Sequence, residues 1–397
     1  MIKSPPSMSA TLSQGPFPCD LIKGVSPFSV CPLLKEALEN NSDKVSYGDP
    51  RGLPQLRETF ARSLSSRVGF VYDSESVLVG AGAKAILFLI MASLGKRIVL
   101  PRGSWVSYKP QAEMCGKAVH WVPVDQETGK IKDLLLVQGD VLILNSPSNP
   151  WGCVYDEDEL EKIAEEVYKA NAFVVSDDIY WRITHPGVKA SPFAAVCPDR
   201  TIVVDGLSKW AGAAGWRLGI AAFGKHPDLK EAYDRCVSLS SQIFSCVCLP
   251  VQHAAILAFS GAYDATPEVK ARRKAMRQVM CHLQTYAYRR LKPYCFSISF
   301  PQGGFYIFVP FPRYKIELLN QRGVGVVDGT HFGMRGYIRL SLTNFCGDEA
   351  LTSELPPIGD DLALDAWVKT YCPIIHEGIA KIIEVISEET LTERIKG

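Results

Sequence analysis

Long hydrophobic runs are scarce in this sequence. The most apolar stretch, AILFLIMASL from Ala85, is too short to span a bilayer. The opening MIKSPPSMSATLSQ has neither the apolar core of a secretory signal nor the arginines of a mitochondrial leader, which leaves the cytoplasm as the expected compartment. An excess of charge of one sign is also missing. The 43 basic and 42 acidic residues nearly cancel, so no long-range field draws the chain to nucleic acid or to an anionic membrane, and the expected partner is a small molecule. Twelve cysteines are present, but scattered and without a CxxC pair, in a chain far longer than a disulfide-stapled domain. Cys246 and Cys248 lack the companion ligands of a zinc site. Reduced thiols and no metal site are the expectation.

What is present is enough apolar material for a large core: 397 residues, 47% hydrophobic and 21% charged, a size that implies division into two domains. From about Val77 to Gly219, short runs rich in β-branched residues (SVLVG, RIVLP, VLILN, FVVSD, TIVVDG) alternate with helical patterns, which predicts an α/β fold with a mostly parallel sheet. Between VLILN and FVVSD lies DEDELEKIAEEVYKANA, acidic at its start and basic near its end, as a crossover helix requires. Beyond Gly219 the pattern turns helical (EVKARRKAMRQVMCHLQTYAYRRL) and then strand-like at FSISF, GGFYIFVPF and YIRLSL, predicting a smaller α+β domain. The expected division is a large domain over 46–285 and a small one built from 1–45 with 286–397. A loop-like insertion, CGDEALTSELPPIGDD, begins at Cys346.

Ligands of an open parallel sheet bind beyond the carboxyl ends of its strands. Five features there are chemically suggestive: the GAGAKA turn with Gly82, Ala83 and Lys84, then Asn149, Asp177, Lys209 and Arg217. Each alone has an ordinary explanation, as a turn, a helix cap or a solvated charge, and Arg339 in YIRLSL alone reads as a strand-edge charge. Together they suit one task, holding a phosphorylated pyridine aldehyde: an amine for the aldehyde, a carboxylate for the ring nitrogen, and a helix N-terminus with arginine for the phosphate.

The segments NSPSNPWG, VVSDDIY, GLSKWAGAAGWRLG and YIRLSL resemble, in order and spacing, the fold-type I pyridoxal 5′-phosphate (PLP) aminotransferases of the aspartate aminotransferase family, from about Gly24 to Arg339. The resemblance implies that Lys209 carries PLP as a Schiff base, that Asp177 pairs with the pyridine nitrogen, and that Tyr180 and Asn149 bond the ring's phenolic oxygen. It also implies that Trp105 stacks on the ring, that Arg217, Ser208 and the Gly82–Lys84 turn hold the phosphate, and that Arg339 grips the substrate α-carboxylate under the Gly24 backbone. The stretch VSYGDPRGLPQLRE resembles the segment whose tyrosine, here Tyr47, reaches the neighbouring subunit's phosphate, which implies a homodimer with shared sites. Lys84 and the threonine of SAT, Thr11, resemble residues that bind the distal carboxylate of aspartate or glutamate. The departures are Trp151 for a threonine, Asp178 for a glutamate, Asp328 for a proline, and Gly206 where relatives place a phosphate-binding hydroxyl.

Other readings stay open at this point. VLVGAGAKA also reads as the GxGxxA turn of a dinucleotide-binding dehydrogenase, for which Arg102 after the next strand suits NADP at best. A noncatalytic relative, an aromatic or alanine aminotransferase, and a PLP-dependent carbon–sulfur lyase are further alternatives, since fold does not fix chemistry. Tyr180 favours transamination, because related lyases often carry histidine there.

Overall fold

The computed structural model describes residues 17–295 and 297–396. The described chain opens on a short strand, β1 (Cys19–Asp20), and then builds β2 (Val77–Gly80), β3 (Arg97–Pro101), β4 (Ala118–Val122), β5 (Asp140–Asn145), β6 (Phe173–Asp177), β7 (Thr201–Gly206) and β8 (Gly219–Phe223). The seven strands β2 to β8 form one sheet in the order β2-β8-β7-β6-β5-β3-β4, with β2 and β8 antiparallel to their neighbours and the rest parallel. All residues of β2, β6, β7 and β8 are buried, as expected of strands covered on both faces. The five strand runs predicted between Val77 and Gly219 are β2, β3, β5, β6 and β7. Two strands carry weaker sequence signals and were not among the predicted runs: β4 is a partly exposed edge, and the GIAAF of β8 is too poor in β-branched residues to stand out.

The helix Glu157–Lys169 joins β5 to β6, fixed at its start by a capping box in which Asp156 and Glu159 each accept the other's backbone N–H. Its Leu160, Ile163, Ala164 and Val167 face inward at helical spacing. On the other face of the sheet, the apolar helix Ala83–Ser93 buries Ile86, Leu87, Leu89, Ile90 and Met91 against β2, β7 and β8.

A second sheet, antiparallel, joins β9 (Tyr306–Pro310), β11 (Val327–Asp328) and β12 (Tyr337–Ser341) in the order β11-β12-β9, while β1 pairs in parallel with β10 (Val324–Gly325). GGFYIFVPF and YIRLSL supply β9 and β12. The FSISF segment differs from expectation: residues 297–300 form no strand, because Pro301 removes a ladder donor and the chain turns toward Gly303 and Gly304. The insertion after Phe345 is not all loop. Gly347–Thr352 is a short helix, and the chain beyond it is tied to the long helix Pro267–Leu291 by His282 on the Pro356 carbonyl, at 2.8 Å, and by Arg289 on Ile358.

Candidate active site

The carboxyl ends of β5, β6 and β7, the start of the helix Ala83–Ser93, and the strands β9 and β12 surround one cavity of about 430 Å³. Gly24, Ala83, Lys84, Trp105, Asn149, Asp177, Tyr180, Ser208, Lys209, Arg217 and Arg339, drawn from across the sequence, all line it. Gly82 stands beside Arg217 at its edge. Tyr47 does not reach it within the same chain and is 90% exposed. Thr11 lies outside the described residues.

Asp177 ends β6 at the cavity floor and is 4% exposed. Burial pushes its carboxyl up to about 6, against the lowering effect of its bond from the Tyr108 hydroxyl at 2.6 Å and of the Ile179 N–H. Asn145, the last residue of β5, donates to the Asp177 carbonyl at 2.6 Å and accepts the Asn149 N–H at 2.8 Å. Neither Tyr108 nor Asn145 was singled out from sequence, although Asn145 ends the VLILN run and Tyr108 stands three residues after Trp105. A carboxylate at a strand end needs a donor from a neighbouring strand end or helix, and that requirement was the available signal.

Lys209 follows β7. Its Nζ donates to the carbonyl of Gly24, and it stands 5.7 Å from the centre of the Tyr180 ring. The Tyr180 hydroxyl meets that of Tyr306 at 2.8 Å, and Tyr306 is a third site residue that sequence reading left inside a strand. A Cβ on Gly24 would fall 2.0 Å from the Tyr306 oxygen, so only glycine lets this backbone approach the phenol.

Arg339 enters from β12 and is 7% exposed. Its Nη2 donates to the Ile22 carbonyl at 2.6 Å and its Nη1 to Asn149 Oδ1 at 3.3 Å, while its Nε has no partner. Burial draws its pKa down, opposed by the two tyrosines. It pairs with no carboxylate among the described residues. A buried guanidinium without a counter-ion is costly, and an anion entering the cavity relieves that cost.

Lys84, half-buried at the first turn of its helix, lies 5.1 Å over the Trp105 ring. Burial lowers its pKa, and Arg217 and Lys209 add to the effect. Gly82 precedes that helix with φ of +88°, and a Cβ there would come within 2.5 Å of Arg217 Nη2. No side chain caps the helix start, so it faces the cavity as a bare N-terminus beside an arginine. Gly206 is closed to a side chain, since its Cβ would meet the Leu218 carbonyl at 2.8 Å, and Ser208 remains the hydroxyl at the cavity wall.

The topology excludes the dinucleotide-binding reading of GAGAKA. That motif needs its strand inside a parallel βαβ unit, whereas β2 is an antiparallel edge strand and β3, which follows it in sequence, is separated from it by four strands in the sheet. Arg102 donates instead to the Gly333 carbonyl at 3.1 Å.

Residues 20–351 match the family "Aminotransferase class I and II". The chain is 31% identical over 344 residues to a probable aspartate/prephenate aminotransferase of Aquifex aeolicus, covering 80% of this chain and 84% of that one. It is 29% identical to an aspartate aminotransferase of Bacillus sp. strain YM-2, over 74% of this chain and 79% of that one. Among solved structures it resembles a double mutant of Thermus thermophilus aspartate aminotransferase, with a TM-score of 0.77 and 26% identity over 88% of this chain and 96% of that one. With a cavity of this geometry and a match that spans most of its length, the chain belongs to the class I and II aminotransferase family.

Proposed function

We propose that the protein is a PLP-dependent aminotransferase that exchanges an amino group between an L-amino acid and a 2-oxo acid, with aspartate or glutamate and their 2-oxo acids as preferred substrates. The observation that carries this reading is the charge of the cavity. Its basic lining comprises Lys23, Lys84, Lys209, Arg217 and Arg339 against the single carboxylate of Asp177, an arrangement suited to a phosphate and the carboxylates of a substrate.

The residues present fit the cofactor. Asp177 supplies a buried carboxylate for a ring nitrogen, and Trp105 supplies a flat face. The side-chain-free turn at Gly82 with Ala83, Ser208 and Arg217 would hold the phosphate, and Lys209 supplies the amine. When bound, PLP offers an aldehyde to receive the amino group and a ring to accept the electrons of a broken Cα–H bond. Lys209 Nζ takes the proton from the substrate Cα and returns one later in the cycle, as a general base and then an acid. Arg339 orients the substrate by its α-carboxylate, which makes the ionic contact its guanidinium lacks within the chain. Asn149, held by Asn145, and Tyr180 border the same space and would bond the cofactor's phenolic oxygen.

Lys84 carries the substrate preference. It is half-buried, and no carboxylate pairs with it among the described residues. Removing one partner of a desolvated charge pair costs about 2 to 5 kcal/mol. Lys84→Ser is expected to cut kcat/KM for aspartate by a factor on the order of 30 or more while changing alanine or phenylalanine far less. Wild-type protein that prefers aromatic or small neutral amino acids, or a variant equally impaired on all substrates, overturns the preference. The exchange itself is tested by following 2-oxo acid formation from a panel of amino acids.

We further propose a homodimer with shared sites in which Tyr47 serves the neighbouring subunit. Support comes from the exposure of Tyr47, Val45 and Ile243, apolar side chains that a second copy would cover. The division into a large domain over 46–285 and a small one over 1–45 with 286–397 is supported by the separation of the seven-stranded sheet from the strands after Tyr306. A cytoplasmic setting is supported by twelve free cysteines.

A further inference from the structure

We propose that Tyr306 is a positioning residue for the reaction: its phenol links Lys209 and Tyr180 into one hydrogen-bonded chain that aims the lysine amine and holds its proton. The inference rests on the aminotransferase reading for its consequences in catalysis, but not for its geometry.

Tyr306 opens β9, where its side chain is 2% exposed. Its backbone is fixed from behind. The buried Gln284 donates to the Tyr306 carbonyl at 2.8 Å and to the Gly303 carbonyl at 3.1 Å, and its own oxygen is engaged by His185. In front, the Arg339 guanidinium lies over the Tyr306 ring at 4.5 Å, and the Gly24 backbone, which receives Lys209, presses on the hydroxyl. A phenol clamped on these sides has little freedom to point anywhere but at Tyr180 and Lys209.

The two phenols are not equivalent. Burial raises both, but at Tyr306 the charges of Lys209 and Arg339, and hydrogen bonds from Tyr180 and Lys209, outweigh burial and bring the group below the ordinary tyrosine value. Tyr180 is held well above it, first by burial and then by its neighbour Tyr306. The pair therefore reads as Tyr180 donating to Tyr306. Lys209, Tyr180 and Arg339 face Tyr306, with Asp177 behind Tyr180 and Lys84 facing Lys209.

Ultraviolet titration of tyrosine ionisation in the full-length protein tests the geometry without turnover. Wild type is expected to show one phenol ionising below the ordinary range. Tyr306→Phe, which keeps the ring and its packing, removes that component, and Tyr180→Phe moves it upward by deleting the donor. In the cofactor-loaded enzyme, Tyr306→Phe is expected to lower kcat by roughly ten- to a hundredfold with little change in KM and to displace a limb of the kcat/KM pH profile. A titration unchanged by both variants, or a Tyr306→Phe enzyme with wild-type kcat and pH profile, overturns the proposal. A protein that shows the phenol shifts but exchanges no amino group would instead defeat the aminotransferase reading.

Discussion

Asp177 lies where an ionised carboxylate is costly. Its pKa of about 6 exceeds its ordinary value of 3.8, so the folded chain binds that proton more tightly than the unfolded chain does. Stability is therefore lost as pH rises between about 4 and 6, and at neutral pH the full penalty stands, on the order of 3 kcal/mol. A fold carries such a penalty at a site that a ligand later completes, and under the proposed function that ligand is a protonated ring nitrogen. Asp177→Asn keeps the shape and an acceptor for the Tyr108 hydroxyl while removing the charge. In the cofactor-free protein, this variant is expected to melt at or above the wild-type temperature at about pH 8, with the difference shrinking toward about pH 4. Its turnover should fall by a factor on the order of a hundred or more, because an amide cannot stabilise a pyridinium. Near-normal turnover would transfer the role to another acid, with Asp178 the nearest. Asp178, however, is already bound by Arg67 at 2.8 Å and by Ser176 at 2.6 Å.

At the scale of elements, the turn from β2 into the helix Ala83–Ser93 brings together a positive φ, a bare helix start and an arginine in close approach. Gly82→Ala places a methyl group in strained backbone and against the Arg217 guanidinium, while the apolar face of the helix is untouched. PLP affinity, followed by absorbance titration, is expected to weaken by roughly tenfold or more with little change in secondary structure. Unchanged affinity would mean that the turn does not cradle the phosphate. These elements also separate what the sequence disclosed from what it hid. Buried strands such as VLILN and FVVSD announce themselves because both faces are covered, and the crossover helix does so through its capping acids and helical period. The 297–300 segment alternates like a strand although Pro301 beside it removes a ladder donor, and the GIAAF strand was hidden because, poor in β-branched residues, it depends on pairing with β2, distant in sequence, and local pattern carries no record of that. The same limit applies to the site. Lys209, Asp177 and Arg339 were legible from motif and strand position, whereas Tyr108 and Tyr306 become meaningful only when folding brings them to an aspartate and a lysine 69 and 97 residues away.

For the whole molecule, the cavity draws its lining from both sheets and from the segment around Gly24. Tyr47 and its exposed neighbours mark where a second copy is expected to close the assembly. The Gly48 N–H is held by Cys246 at 3.2 Å, which fixes this segment beside the end of the helix Pro227–Phe244. Sedimentation is expected to give twice the chain mass, and Tyr47→Phe to weaken PLP binding by roughly three- to tenfold while leaving the dimer intact, the effect of losing one hydrogen bond. A monomer with full activity would remove Tyr47 from the site.

The central claim, that Lys209 is the residue that carries the cofactor, is tested most directly by locating the bond. Purified protein mixed with PLP, reduced with borohydride, digested and analysed by mass spectrometry is expected to carry the label at Lys209, and Lys209→Ala should lose both the visible absorption and turnover. Label at Lys84 or spread over surface lysines, or a Lys209→Ala variant that keeps its colour and activity, would contradict the account.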